Sequence, residues 1–338
     1  MTLQDRINAF AKLGDYINNP DNTAVIEEWA YRAQTQNNWF TPENVFLALN
    51  NIANGYLKLE DLQSFAKQYQ LQDNVANVRK IGLILAGNIP AVGFHDVLMV
   101  LLSGNECRLK LSSQDTVLMK ALLSQLLIFE PNFKIQYVEQ LKNIDLLIAT
   151  GSDNTFRYFE YYFRDIPHII RQNRSSVAVL NGTESADELL SLGKDITSFY
   201  GLGCRNISKI YVPENYKFDF FYESIESLGD VFLHHKYKNN YDYNKSIYLV
   251  NGEPHLDNGF LILRESEEMV SPISVIFYEK YQDEVDLSNK INSQKEKVQC
   301  IVSQNAWLQG SLVLGNAQQP SLVDYADGFD TMQFLLNS

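Results

Sequence analysis

The sequence predicts an α/β fold built on an open, doubly wound parallel sheet. Three observations carry this expectation. Residues 81–86 form a continuous apolar run, and 144–149 read as a second strand, both suited to burial on two faces. Around them, strand-like and helical stretches alternate at the spacing of βαβ units. The runs Gly87-Asn88-Ile89-Pro90, Lys110-Leu111-Ser112-Ser113 and Thr150-Gly151-Ser152 all fall just past predicted strands, where such sheets bind ligands.

Residues 1–75 read as helices. Leu3, Ile7, Phe10 and Leu13 keep a helical period, Asp21-Asn22-Thr23 introduces a helix over 24–34, and Thr41-Pro42-Glu43-Asn44 opens another. A strand at 81–86 then leads through the Gly87–Pro90 turn into an apolar helix over 91–102. Strand 107–111, helix 115–127, an extended stretch at 134–138 and strand 144–149 follow. Thr150-Gly151-Ser152-Asp153 caps a helix carrying Phe156, Tyr158, Phe159 and Phe163, and 176–180 closes the series. Helix 186–200 precedes Gly201-Leu202-Gly203-Cys204-Arg205-Asn206, and a β-branched strand runs over 207–213. Further strands are expected at 246–250, 260–263, 274–278 and 298–303, with a helix at 285–296 and a polar hairpin tip at 239–244. The tail beyond 315 is loop-like and then mixed.

The 338 residues suffice for two domains or one large α/β unit. The expected division is a helical segment over 1–75, a dinucleotide-binding domain over 76–185, a cysteine-bearing domain over 186–315 and a return segment over 316–338. A net charge of −13 argues against nucleic acid or anionic membrane as partner. No apolar stretch approaches a membrane-spanning length, and the first residues lack a signal-peptide layout. Cys107, Cys204 and Cys300 are too few and too scattered for a disulfide framework, so a reducing cytoplasm is the expected compartment.

Cys204 lies at a helix-to-strand junction between glycines, where a chain presents a thiolate nucleophile. On that motif alone a buried structural cysteine is the commoner outcome. The fingerprint G-x-G-x-x-G is missing, since Asn206 holds its third position. Thr150-Gly151-Ser152 offers a phosphate site at a helix N-terminus, with plain helix capping as the alternative. Lys110, with Ser112 and Ser113 behind it, suits ribose hydroxyls or a phosphate, or is simply a snorkelling edge lysine. Asn88 aims an amide into a cleft or serves a turn. The five histidines form no ligand set, and no Ser-His-Asp order or G-x-S-x-G elbow appears. Glu267-Glu268 reads as a solvated acidic pair.

Taken in order, these runs resemble the aldehyde dehydrogenase superfamily, specifically its acyl-CoA reductase (LuxC-type) branch, from about residue 81 onward. The resemblance implies two Rossmann-like α/β domains with a helical N-terminal segment. It implies that the Asn88 amide and the Cys204 N–H hold an oxyanion and that Cys204 is the nucleophile. Lys110, Ser112, Ser113, Thr150, Gly151 and Ser152 would hold the cofactor, and Glu268, four residues before Pro272, the nicotinamide ribose. Two departures shape the expectation. Arg171-Gln172-Asn173-Arg174-Ser175 aligns with the Glu-Leu-Gly-Gly-Lys run of hydrolytic relatives, so the water-activating glutamate becomes Arg171, which stays protonated. Ser113 replaces the acid that would repel a 2′-phosphate, favouring NADPH with NADH as the alternative.

The resemblance thus implies reduction of a fatty acyl thioester, on CoA or acyl-carrier protein, to an aldehyde through a Cys204 thioester. A cysteine-dependent acyltransferase or thioesterase and a non-catalytic binding relative remain the alternatives. Assembly as a homodimer or larger oligomer stays open, because the chain is shorter than typical aldehyde dehydrogenases.

Overall fold

A computed structural model describes residues 1–151, 159, 161–172 and 174–337. The chain divides into two compact units, Met1–Asn173 with Pro320–Ser338, and Arg174–Gln319.

Unit 1 opens with four helices, α1 (Leu3–Asn18), α2 (Thr23–Gln36), α3 (Pro42–Tyr56) and α4 (Leu59–Gln68). Thr2 and Asp5 form a reciprocal capping box at the start of α1, and Thr41 caps α3 with proline just inside, as the sequence signals require. Strands β1 (Lys80–Ile84), β2 (Glu106–Lys110), β3 (Ile135–Tyr137), β4 (Leu146–Thr150) and β5 (His168–Arg171) form a sheet in the order β3-β2-β1-β4-β5. Every pairing in it is parallel. Helices α5 (Phe94–Leu102) and α6 (Thr116–Phe129) are the crossovers. Residues 94 and 96–102 of α5 are all buried, because the unit's core surrounds this helix.

Two sequence expectations change here. The helix after Pro90 starts at Phe94 rather than 91, because Ala91 adopts φ +53° and cannot join a right-handed helix. Strand β5 was not anticipated, since its short His-Ile-Ile-Arg run carries a polar residue at each end. Phe156, Tyr158 and Ser152 lie outside the described residues, while Phe159 and Phe163 pack beside Leu147 and Ala149.

Unit 2 holds β6 (Ser175–Val179), β7 (Ile207–Pro213), β8 (Leu256–Asp257), β9 (Ile262–Glu265), β10 (Val275–Tyr281), β11 (Val298–Ser303) and β12 (Leu312–Val313). Their order is β12-β11-β6-β7-β10-β9-β8, parallel throughout except for β8 against β9. Helices α7 (Ala186–Thr197), α8 (Asp219–Ile225), α9 (His235–Asn251) and α10 (Glu284–Ser293) connect them. Strand 176–180, placed by the sequence reading at the end of the first domain, belongs to this sheet because β6 pairs with β7 and β11. The two units therefore part after residue 173 rather than at 185.

The polar run 239–244 is no hairpin tip, and 246–250 is no strand; both lie inside α9. Tyr237, Tyr241, Asn244 and Tyr248 recur at i, i+4, i+7 and i+11, and all four are buried. Tyr241 donates to the Asp257 carboxylate at 2.6 Å, and Asn244 Nδ2 to the Ile273 carbonyl at 3.0 Å. A one-sided aromatic stripe thus overrides the run's polar composition. In unit 1, α11 (Thr331–Asn337) ends the chain against α5.

Candidate active site

In unit 1 the order β3-β2-β1-β4-β5 places a topological switch between β1 and β4, with its crevice at their carboxyl ends. The sequence candidates gather along that edge. Asn88 is exposed on the turn after β1, Lys110 ends β2 with an exposed side chain, Thr150 ends β4 and Gly151 follows it. The Lys110 carbonyl accepts the Leu85 N–H at 3.2 Å, and Gly151 N–H donates to Arg171 O at 3.4 Å.

The loops after β1 and β2 touch. A Cβ on Gly87 would stand 2.5 Å from Ser112 Oγ and 3.2 Å from Asp115 Cβ, so only glycine fits there. Asp115 Oδ2 accepts the Ala91 N–H at 2.7 Å, pinning the Asn88 turn from the start of α6. Burial pushes the Asp115 carboxyl well above the usual carboxylate range, and the Ala91 N–H only partly opposes it. Gln36 of α2 grips the same loop, donating to the Ser113 carbonyl at 2.7 Å and accepting Val117 N–H at 2.9 Å. The edge thus presents an ammonium and two serine hydroxyls, a donor set that fits an anionic dinucleotide.

Arg171 is committed within unit 1. Its guanidinium lies 2.6 Å from Asp96 Oδ2 and donates to Thr331 Oγ1 at 2.8 Å, with Arg171, Asp96 and Thr331 all buried.

In unit 2 the helix before Cys204 stops at Thr197 rather than 200. Phe199, Tyr200 and Gly201 take φ +50°, +57° and +78°, three left-handed residues in succession that reverse the chain. Asn206, fully buried, holds this reversal together. Its Oδ1 accepts Gly203 N–H at 2.8 Å, and its Nδ2 donates to the carbonyls of Asp195, Ile196 and Ser198 that end α7. Asn206 N–H also donates to Gly203 O at 3.1 Å, closing a turn whose interior residues are Cys204 and Arg205. Cys204 is half-buried there, three residues before β7.

Neighbouring groups fix the turn further. The Asp195 carboxylate accepts Gly315 N–H at 2.7 Å and Ala317 N–H at 3.1 Å, while Arg205 Nε donates to Ala317 O. Burial raises the Asp195 carboxyl to about 7 against the pull of those N–H groups and of Arg205. Ser208 Oγ donates to Met269 O at 2.7 Å, and Lys209 Nζ to Glu267 O at 2.9 Å. Those two bonds bracket Glu268, which is exposed, and tether its loop to the strand that Cys204 feeds.

The cysteines differ sharply. Cys107 is buried and its thiol is pushed well up by burial, which makes it inert, whereas Cys204 and Cys300 are partly accessible. Among the described residues no His, Cys, Asp and Glu group could hold a metal, and no helix is long and apolar enough to cross a membrane. Sequence reasoning missed Asn206, Ser176, Asp195, Ser208 and Lys209 as supports. Their only signal was polar residues placed where the pattern demands apolar ones.

Comparison with solved structures finds the same architecture. An aldehyde dehydrogenase-related structure from Burkholderia cenocepacia shares 13% identity, with TM-score 0.66 over 90% of this chain and 74% of that one. An NAD-dependent benzaldehyde dehydrogenase from Corynebacterium glutamicum gives TM-score 0.66 at 13% identity, covering 90% and 76%. A Mycobacterium tuberculosis aldehyde dehydrogenase complexed with NAD+ gives 0.63 at 12%, covering 90% and 73%. No curated protein sequence matches the chain.

The fold is therefore that of the aldehyde dehydrogenases, with the helical N-terminal segment expected. The description of the acyl-CoA reductase (LuxC) family matches residues 37–220, more than half the chain, and the chain belongs to that family. Family and fold together make it an oxidoreductase of aldehyde chemistry.

Proposed function

We propose that the protein reduces a fatty acyl thioester to an aldehyde, with NADPH as reductant and Cys204 as nucleophile. The observation that carries this reading is the turn at Cys204. It is half-buried in the turn that leads into β7, closed by Asn206, and belongs to a chain of the acyl-CoA reductase family.

Cys204 thiolate attacks the thioester carbonyl, forming a carbon–sulfur bond. The oxyanion is assigned to the Cys204 N–H and the Asn88 amide, donors of a kind typically worth ~3–4 kcal/mol of barrier each. The substrate thiol leaves and takes a proton, so the acyl group remains on Cys204. Lys110, Ser112, Ser113, Thr150, Gly151 and Ser152 are the groups proposed to hold the cofactor, and Glu268 its ribose. When bound there, a reduced nicotinamide would supply the hydride that the acyl carbon takes up. Cys204 is then expelled from the hemithioacetal as thiolate, releasing the aldehyde. With Arg171 tied to Asp96, that position offers no base to activate water.

The test omits the reductant. Mixing the protein with a long-chain acyl-CoA should yield one thioester per chain, in Cys107→Ala as in the wild type, and none in Cys204→Ala. Adding NADPH should release aldehyde with matching loss of its absorbance. Labelling that persists in Cys204→Ala overturns the mechanism.

A further inference from the structure

We infer that Ser176 is a positioning residue for Cys204, and that the Cys300 thiol completes the hydrogen-bond chain that aims it. This rests on the reading of Cys204 as nucleophile. Ser176, the second residue of β6, is fully buried. Its Oγ donates to the Cys204 carbonyl at 3.0 Å, accepts Cys300 N–H at 3.2 Å, and stands 3.1 Å from Cys300 Sγ. A serine hydroxyl carries one hydrogen. A carbonyl can only accept, so that hydrogen goes to Cys204, and Ser176 accepts from both the N–H and the S–H of Cys300.

The sheet is irregular on both sides of this one residue. Between β6 and β11, Val298 to Ile301 advances three positions while Ser175 to Val177 advances two. Between β6 and β7, Ile207 to Lys209 advances two positions while Ser176 to Val177 advances one. Bulges of this kind re-aim side chains and interrupt ladder pairing. Here they free the β11 segment bearing Cys300 to meet Ser176, and they let Ser176 reach back to Cys204 instead of a ladder partner.

The consequence is directional. Asn206 fixes the chain just before Cys204 through Gly203 N–H, and Ser176 fixes it just after, through the carbonyl of Cys204 itself. Together they set the direction of the Cys204 Cα–Cβ bond. A Cys300 thiolate would compete for the serine hydrogen and release that carbonyl.

Single-turnover acylation with a long-chain acyl-CoA, without reductant, tests the chain. In Ser176→Ala the acylation rate constant should fall about 10- to 100-fold, as for a slightly misplaced nucleophile. Thioester stoichiometry at Cys204 and half-saturation by acyl-CoA should stay unchanged. Ser176→Thr, which keeps the hydroxyl, should recover most of the rate. Cys300→Ala should slow acylation about 2- to 5-fold, the loss of one weak donor. Ser176→Ala acylating at the wild-type rate overturns the proposal. If Ser176→Ala does not fold, an unchanged rate in Cys300→Ala overturns it equally. Wild-type labelling at a cysteine other than 204 would instead sink the nucleophile assignment, and this proposal with it.

Discussion

Arg171 Nη1 lies 2.6 Å from Asp96 Oδ2, with both side chains buried, at the position that the sequence resemblance sets against the water-activating glutamate of hydrolytic relatives. The pair joins the end of β5 to α5, and Thr331 of α11 accepts a second bond from the same guanidinium. Removing one partner of such a pair leaves an uncompensated buried charge. Arg171→Ala should therefore cost about 3–5 kcal/mol, read from urea denaturation. Arg171→Met combined with Asp96→Leu should recover most of that loss. Arg171→Glu should unfold the chain rather than create a hydrolase, because it sets two carboxylates against each other. A folded Arg171→Glu that hydrolyses acyl-CoA would refute this.

Asp115 makes a prediction about pH. Its carboxyl is raised in the folded chain by burial, whereas in the unfolded chain it titrates near about 4. Above that value the unfolded state has lost a proton that the folded state keeps. This contribution to stability is therefore complete at low pH and declines as pH rises through the folded value. Asp115→Asn keeps an acceptor for Ala91 N–H and removes the ionisable group. Its stability relative to wild type should improve steadily as pH rises above the ordinary carboxylate range. A difference that stays constant over that rise would contradict the assignment.

Lys209 should matter to the cofactor and not to thioester formation. It is buried, ion-paired with Glu279, and donates to Glu267 O, so it holds the loop of Glu268 from β7. Burial alone would raise the Glu279 carboxyl, but Lys209 and Lys290 hold it below its ordinary range. Lys209→Met should raise KM for NADPH about tenfold, the value of one charged hydrogen bond, while cofactor-free acylation of Cys204 continues. Loss of acylation with an intact NADPH KM would assign Lys209 a different role.

Ser113 bears on cofactor choice. A carboxylate there would repel a 2′-phosphate while tolerating a 2′-hydroxyl. Ser113→Glu should lower kcat/KM for NADPH at least about tenfold relative to NADH. An unchanged ratio would remove Ser113 from the cofactor site.

The centre of the unit 1 sheet was legible because β1 and β4 are apolar on both faces. Residues 81–84 leave no other reading, and the glycine turn after them is forced by the close approach of Ser112. Helix α9 was not legible. Its surface residues outnumber its buried tyrosines, and Asn-Asn-Tyr-Asp-Tyr-Asn imitates a loop until the i, i+4, i+7, i+11 stripe is packed against β9 and β10. Strand β6 was recognised as a strand but placed in the wrong sheet, since an apolar run such as Val-Ala-Val does not name its hydrogen-bond partners.

By itself the sequence determined which residue types stand at the strand ends, where a cysteine sits between glycines, and that position 171 carries an arginine. Those are local facts, set by periodicity, turn chemistry and residue type. Only the tertiary structure decided what holds Cys204: the Asn206 side chain, the hydroxyl of Ser176 from β6 and the Cys300 thiol from β11. The physical reason is that a buried polar group must find its partner across the sheet, up to 124 residues away, and no local pattern encodes that distance.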